Sequence, residues 1–334
     1  MIYAPHTFEL TLNLNMDKFN KLRDRAYRKA KSSHRMYYEM NKDIDYAFAD
    51  KGIKIEYHNG IYKKKIKFIV NPTKVLDGDD IKKLWKPNSD NISKLLNKLE
   101  KRIDEYFDSK YKLDDFNLTR IDFTVNIDVG DRESVSAYIR VLHNIGKVKG
   151  FAPKYDKNDD HIDTNLSFDL EGNSNGVEFA AYNKEAALKN KDKAGKAKGI
   201  LRVEVRLMKQ KAIREYTNET TTSKQIESLA STSQDIFLDT FARIVPYGDY
   251  YKKRDAVKII ENKISKRKHR EKMLRLLELI PKKKSLYLAL KEMNDRNIDK
   301  IMKLFDELHL SPITISKRHN IKHLKTLYFY LLSE

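Results

Sequence analysis

The chain has 334 residues, with 67 Lys plus Arg against 48 Asp plus Glu, giving a formal charge of +19 and a pI near 9.6. Such a field favours a polyanion, and without an apolar run long enough to span a membrane that polyanion is expected to be nucleic acid. The absence of cysteine excludes disulfides, zinc-thiolate sites and cysteine nucleophiles, and the N-terminus lacks the pattern of a secretion signal, so an intracellular chain is expected.

Phe8, Leu10, Leu12 and Leu14 alternate with polar residues as in a half-buried strand, and a basic helical segment follows from about Met16, with Tyr37 and Tyr38 near its continuation. Residues 53–58 and 61–70 flank Asn59-Gly60, a two-residue type I′ hairpin signal, because both central residues of that turn need positive φ. Asn71-Pro72 ends the second strand. Ile92, Leu95, Leu96, Leu99, Ile103, Tyr106 and Phe107 then repeat at helical spacing behind Asp90 and Asn91 as caps.

The stretch 118–129, LTRIDFTVNIDV, comes next. A period of two puts Ile121, Phe123, Val125, Ile127 and Val129 on one face, and Arg120, Asp122, Thr124, Asn126 and Asp128 on the other. Asp is a poor strand former, and two in one strand ask for a reason.

Residues 132–145 read as a helix with Val135, Tyr138, Ile139 and Leu142 inward. A second hairpin follows from 164–170 and 177–182, then a short helical possibility at 185–191 and a last strand at 200–207. The order strand, helix, hairpin, helix, strand is that of a β-α-β-β-α-β unit. The expected architecture is α+β: a duplicated ferredoxin-like core with an antiparallel sheet over residues 1–210, followed by a basic, all-helical region over 219–334. Helices are expected there at 226–245, 255–280, 285–294 and 298–308. Basic runs at Lys252, Lys253 and Arg254, at Lys266, Arg267, Lys268 and Arg270, and at 282–284 are dense enough to bind phosphates without reading bases.

Three strands now share a polar face. Beside Arg120, Asp122, Asn126 and Asp128 stand Glu178, Tyr182 and Lys184 from GVEFAAYNKE, and Arg202, Glu204 and Arg206 from ILRVEVRL. A ladder of cross-strand ion pairs would use the same residues. Phosphoryl transfer at a nucleic-acid backbone is the chemistry the set supports. Asp122, Glu178, Glu204 and Asp128 are candidate ligands for Mg²⁺ or Mn²⁺. Arg120 and Arg202 can neutralise charge on phosphorus oxygens, with Arg206 on the DNA backbone. Tyr182 can act as nucleophile with Lys184 helping to ionise it.

RIDFTVNID, AYNKE and RVEVRL, in that order, resemble the R-x-D, Y-x-K and R-x-E signatures of plasmid and phage rolling-circle replication initiators of the Rep_trans type. Relaxases of conjugative elements and filamentous-phage nicking proteins are relatives of that group. The resemblance covers about residues 115–210. It implies metal-dependent, site-specific nicking and closing of one DNA strand through a tyrosine. It matches Arg120 and Asp122 to the first signature, Tyr182 and Lys184 to the second, and Arg202 and Glu204 to the third. Implied partners are origin DNA, single- and double-stranded, a second copy of the chain and a host helicase, in a bacterial cytoplasm.

The chain departs from that pattern in two ways. Upstream of AYNKE, where many plasmid initiators carry a Tyr-x-Gly-Ser element, the sequence reads SFDLEGNSNG, with Asp169 and no tyrosine. The His-hydrophobic-His metal motif of other nicking enzymes is absent. His161 with Asp159, Asp160 and Asp163 is the nearest metal-like cluster, and a solvated acidic loop has the same composition. His319 and His323 are one helical turn apart, and a helix-turn-helix is conceivable in that tail. Tyr247, Tyr250 and Tyr251 are alternative nucleophiles. A DNA-binding origin or regulatory protein without cleavage, and an RNA-binding sheet, are the competing functions; the second lacks the aromatic platform expected of it.

Overall fold

Period-two alternation carries over into the longest strands of the structure, a computed structural model that describes all residues except 31–35, 40–41, 62, 79–81, 155–165, 173, 175, 189–193 and 334. The first half of the chain forms β1 (Ala4–Leu14), α1 (Met16–Ala30), β2 (Met36–Glu39), β3 (Lys42–Phe48), β4 (Ile53–Asn59), β5 (Lys64–Val70), a single turn α2 (Pro72–Val75) and α3 (Ser89–Phe107). The central stretch is β6 (Asn117–Asp128), and α4 (Arg132–His143), β7 (Phe151–Pro153), β8 (Ser167–Gly172), β9 (Val177–Asn183) and β10 (Ile200–Leu207) follow.

Among the described residues ten strands form one antiparallel sheet, in the order β2-β3-β4-β5-β1-β6-β10-β9-β8-β7. Each half is a strand, a helix and a four-strand meander whose last strand returns beside the first. The two halves meet where β1 lies antiparallel to β6. A single hairpin was expected where each meander runs, so β2, β3 and β7 are additions to the sequence reading. The pattern of β3 is obscured because Asp43 and Asp45 point to the helix-covered side, where Tyr27 donates to Asp43 at 2.5 Å and Tyr106 to Asp45 at 2.8 Å. Polar residues inside defeat a pattern that equates polar with outward.

One sheet face is apolar and covered by helices. Phe19 of α1 meets Tyr57, Phe107 of α3 stacks on Phe68, and His143 of α4 packs edge-on to Phe168. Beyond β10 come α5 (Gln210–Arg214), α6 (Thr222–Ser231) and α7 (Ser233–Ile244), and Phe241 of α7 reaches Phe179 of β9 on the same face. The expected helix 226–245 is therefore broken. Thr232 donates its hydroxyl back to Ser228 O at 2.9 Å and leaves helical φ and ψ, which starts a second helix.

Other boundaries shift for local reasons. Asn59 pairs with Lys64, so the hairpin does not close through a two-residue turn, and neither Asn59 nor Gly60 takes the positive φ of a type I′ turn. The cap of α3 is Asn88, which accepts from Asn91 N at 2.9 Å, rather than Asp90 or Asn91. Residues 184–187 form a turn at the start of the helical possibility read at 185–191, of which 189–191 lie outside the described residues.

The remaining chain forms β11 (Tyr250–Tyr251), α8 (Lys253–Lys263), α9 (Arg267–Lys283), α10 (Leu286–Met293), α11 (Ile298–Glu307), β12 (His323–Leu324) and α12 (Leu327–Leu331). β11 pairs with β12, so His323 is on a strand, and no helix places it one turn from His319. The last helix returns to the sheet, where Tyr3 donates its phenol to Leu331 O at 2.6 Å. Among the described residues no helix is long and apolar enough to cross a membrane.

Candidate active site

The other face of the sheet is charged, and register decides who meets whom on it. Arg202 stands between Tyr182 and Asn126, Glu204 between Ala180 and Thr124, and Arg206 between Glu178 and Asp122. Rows two residues apart along a strand are separated by roughly 7 Å. Ala180 and Thr124 are short, which leaves room around Glu204 for longer neighbours. Tyr182 donates to Glu204 Oε1 at 2.6 Å, and Arg206 donates to Glu204 Oε2 through Nε at 3.0 Å and Nη2 at 2.8 Å. Arg202 Nη1 is 3.9 Å from Oε1.

Arg202 is a buried cation, 2% exposed, and would be costly without partners. Its Nε donates to Asn126 Oδ1 at 2.8 Å and its Nη1 lies 3.0 Å from His6 Nε2. A guanidinium cannot accept, so Nε2 is the acceptor and His6 carries its proton on Nδ1, 3.1 Å from Thr7 Oγ1. Burial and then Arg202 hold the His6 pKa down to about 3, so the ring is neutral. Asn126 donates to Lys82 O at 2.7 Å and Trp85 to Pro5 O at 2.6 Å, which ties the segment before α3 to this edge of the site.

His6 was not found from the sequence. Phe8, Leu10 and Leu12 face the core, and a strict period of two would send His6 there too. The β1–β6 register shifts between Pro5 and Thr7, and this bulge gives His6 to the polar side, within reach of Arg202. Glu9, Lys67 and Lys154 are further members of the network: Glu9 takes Lys67 at 2.6 Å and Arg120 at 3.3 Å, and Lys154 reaches both oxygens of Glu178 at 3.1 Å.

The structure brings Tyr182, Arg202 and Glu204 together, with Lys184 coupled electrostatically to Arg202 and Glu204. Burial and then Arg202 lower the Lys184 pKa to about 8. Burial would raise Glu204, but Arg206 leads a set of neighbours that outweighs it and brings the group to about 2. Burial, with Glu204 adding to it, raises the Tyr182 phenol well above its ordinary range.

Arg120 sits one step away, paired with Asp122 through Nε at 2.8 Å and Nη2 at 2.6 Å. Burial pushes Asp122 up to about 6 against that pairing, leaving it ionised at neutral pH. Asp128 is not part of the cluster. It is exposed, opposite Ile200, and accepts from Gly130 N at 3.0 Å. Six residues of strand put it roughly 20 Å from Asp122.

The four carboxylates expected to ligate a metal thus do not converge. Arg206 occupies the space among the other three, 3.7 Å from Glu178 and 2.8 Å from Glu204, and it is paired with Asp122 across the strands. A guanidinium there excludes a second cation, so in this arrangement the donor set does not fit Mg²⁺ or Mn²⁺. Among the described residues no group of three or more His, Cys, Asp or Glu is placed to hold a metal. The His161 cluster lies outside the described residues.

The basic runs divide. Lys252 donates to Ser316 O at 2.6 Å and to His319 O at 2.5 Å, so it closes a loop of the fold. Arg270 donates to Ile264 O at 3.3 Å, Lys253 lies 3.7 Å from Glu278 and Arg267 pairs with Glu271 at 2.8 Å. Arg254, Lys266 and Lys268 are exposed. Lys300, Lys266, Lys272 and Lys268 add to desolvation in depressing the His269 pKa, which marks a positive patch on α9 and α11. The alternative tyrosines sit elsewhere: Tyr247 bonds His309 at 2.8 Å, Tyr250 is buried, and Tyr251 stacks on His323.

Residues 29–228 match a family model that describes the N-terminal part of a replication-associated protein of phages. The match takes in nine of the ten sheet strands and all three signature segments. No curated protein matches the chain.

Proposed function

The chain belongs to the family of phage replication-associated proteins whose model it matches, and from that membership we propose that it is a rolling-circle replication initiator that nicks and rejoins one DNA strand through Tyr182. The observation that carries the nucleophile is the part-buried Tyr182–Glu204 hydrogen bond of 2.6 Å beside the buried Arg202 and the Arg206 guanidinium. Tyr182 Oη attacks the phosphorus of an origin phosphodiester, the P–O3′ bond breaks, and a phosphotyrosine ester on the 5′ side forms beside a free 3′-hydroxyl. The phenolic proton passes to Glu204. Glu204 is a weak base while Arg206 and Arg202 hold it, and a DNA phosphate that draws those guanidiniums to itself restores its basicity. Lys184, charged at neutral pH, supplies a proton to the departing O3′.

The same proposal treats the two halves of the sheet as copies of a ferredoxin-like unit that share β1 and β6. It assigns Arg206, Lys253, Arg254, Lys266, Arg267, Lys268 and Arg270 to DNA, and allows a second copy of the chain and a host helicase as partners in the bacterial cytoplasm.

One observation favours the second reading, an origin-binding protein that does not cleave: in this arrangement Tyr182 keeps its proton and Arg206 fills the centre of the site. Supercoiled DNA carrying the protein's own origin separates the two, incubated without metal, with Mg²⁺ and with Mn²⁺. A nicked circle with protein attached at Tyr182, absent from a Tyr182→Phe variant, supports cleavage. Origin binding with no adduct under any condition supports the binder.

A further inference from the structure

A cleft of about 1010 Å³ lies at the outer end of the N-terminal half-sheet, between α1 and the loop joining β4 to β5. Arg23 and Tyr27 line one wall, Tyr38 and Asp43 the next, and His58, Ile61, Lys63 and Lys65 the third. The two acids in its lining are already engaged, Asp43 by the Tyr27 phenol at 2.5 Å and Asp24 beside Arg23 at 3.6 Å. Lys63 and Lys65 have no carboxylate partner among the described residues, so the cleft keeps a positive surplus. It also shows apolar and aromatic surface to water: Tyr38 is 70% exposed and Ile61 87%.

We propose that this cleft binds single-stranded DNA, stacking an unpaired base on Tyr38 and taking backbone phosphates on Lys63 and Lys65. Lysines alone would suit any nucleic acid. A duplex keeps its base faces inside the stack, whereas a single strand offers them to an aromatic ring.

The cleft is separate from the Tyr182 site. Lys64, next to it, pairs with Leu14 at one end of β1, while the Tyr182 row lies beyond Ala4 at the other. Lys65 on β5 and Tyr182 on β9 are also four strand positions apart, roughly 19 Å across the sheet at about 4.8 Å per strand. The cleft would therefore hold DNA flanking the reacting phosphate. The inference rests on the nucleic-acid reading of the chain but not on Tyr182 as nucleophile.

The test uses the full chain and a labelled oligothymidine, which carries no origin, so that cleavage plays no part. Tyr38→Ala and the double variant Lys63→Glu/Lys65→Glu are each expected to weaken binding about tenfold or more, and the double variant to flatten the salt dependence. In the wild-type protein a bromouracil oligonucleotide should photocross-link to the peptide carrying Tyr27 or Tyr38. Wild-type affinity in both variants, or cross-links confined to the peptides of β9 and β10, would overturn the assignment. So would a duplex bound as tightly as the single strand and weakened equally by the substitutions. Weakened oligothymidine binding in both variants, with no Tyr182 adduct on the origin-carrying supercoiled DNA, would uphold the cleft and count only against the nicking reaction.

Discussion

Tyr182 Oη and Glu204 Oε1 lie 2.6 Å apart on neighbouring strands, one row out of register. The bond crosses rows because Ala180, directly opposite Glu204, is too short to occupy the space. It holds the Tyr182 phenol protonated and fixed against the Glu204 carboxylate.

Tyr182→Phe removes a part-buried hydrogen bond to a charged acceptor while keeping the ring. Stability should fall by about 2 kcal/mol, measured by urea unfolding, and the covalent DNA adduct should vanish. An adduct that persists in the variant would move the nucleophile to another tyrosine.

Glu204 is held at about 2, below its ordinary 4.5. Between these values the unfolded chain binds the proton and the folded one does not, so stability rises with pH there. The contribution is complete above pH 4.5 and is lost as pH falls toward 2, and its size is about 3 kcal/mol. Glu204→Gln should be less stable than wild type by that order at neutral pH, with the difference closing in acid. A gap that stays constant would show that the charge of Glu204 is not what stabilises.

His6 is held at about 3 instead of 6.5. The unfolded state binds more protons in that window, so acidification below 6.5 costs stability, by at most about 1.4 kcal/mol per pH unit. Asp122, raised to about 6 from 3.8, contributes with opposite sign over part of the window, since its folded form takes up the proton. The difference between wild type and His6→Gln isolates the imidazole. It should shrink as pH falls from 6.5, and a flat difference would mean that His6 titrates normally.

Lys252 and Lys268 belong to neighbouring basic runs with different work. Lys252→Ala loses two bonds to loop carbonyls and should destabilise by about 1–3 kcal/mol. Lys268→Ala should leave stability within about 0.5 kcal/mol and reduce the salt slope of DNA binding by about one. Equal effects of the two on unfolding would contradict the division.

The polar row of β6, the inward faces of β6, β9 and β10, and the core of α4 were legible as alternation or helical spacing, because each is long and places polar and apolar groups on opposite sides. So was the sharing of one face by Tyr182, Arg202 and Glu204, since strand parity alone decides which face a side chain takes. Strand β3 was hidden by acids that are satisfied inside by tyrosines.

Parity says which face but not which distance, and that limit separates the two kinds of knowledge about this protein. Charge, the antiparallel core and the three signature segments follow from residue order. That Arg206 stands where a metal was expected, that Asp128 lies roughly 20 Å from Asp122 along its strand, and that a bulge turns His6 toward Arg202 follow only from inter-strand register. Alternation restricts each of these strands to one face, and the register between strands far apart in the chain is then fixed by how their buried faces pack.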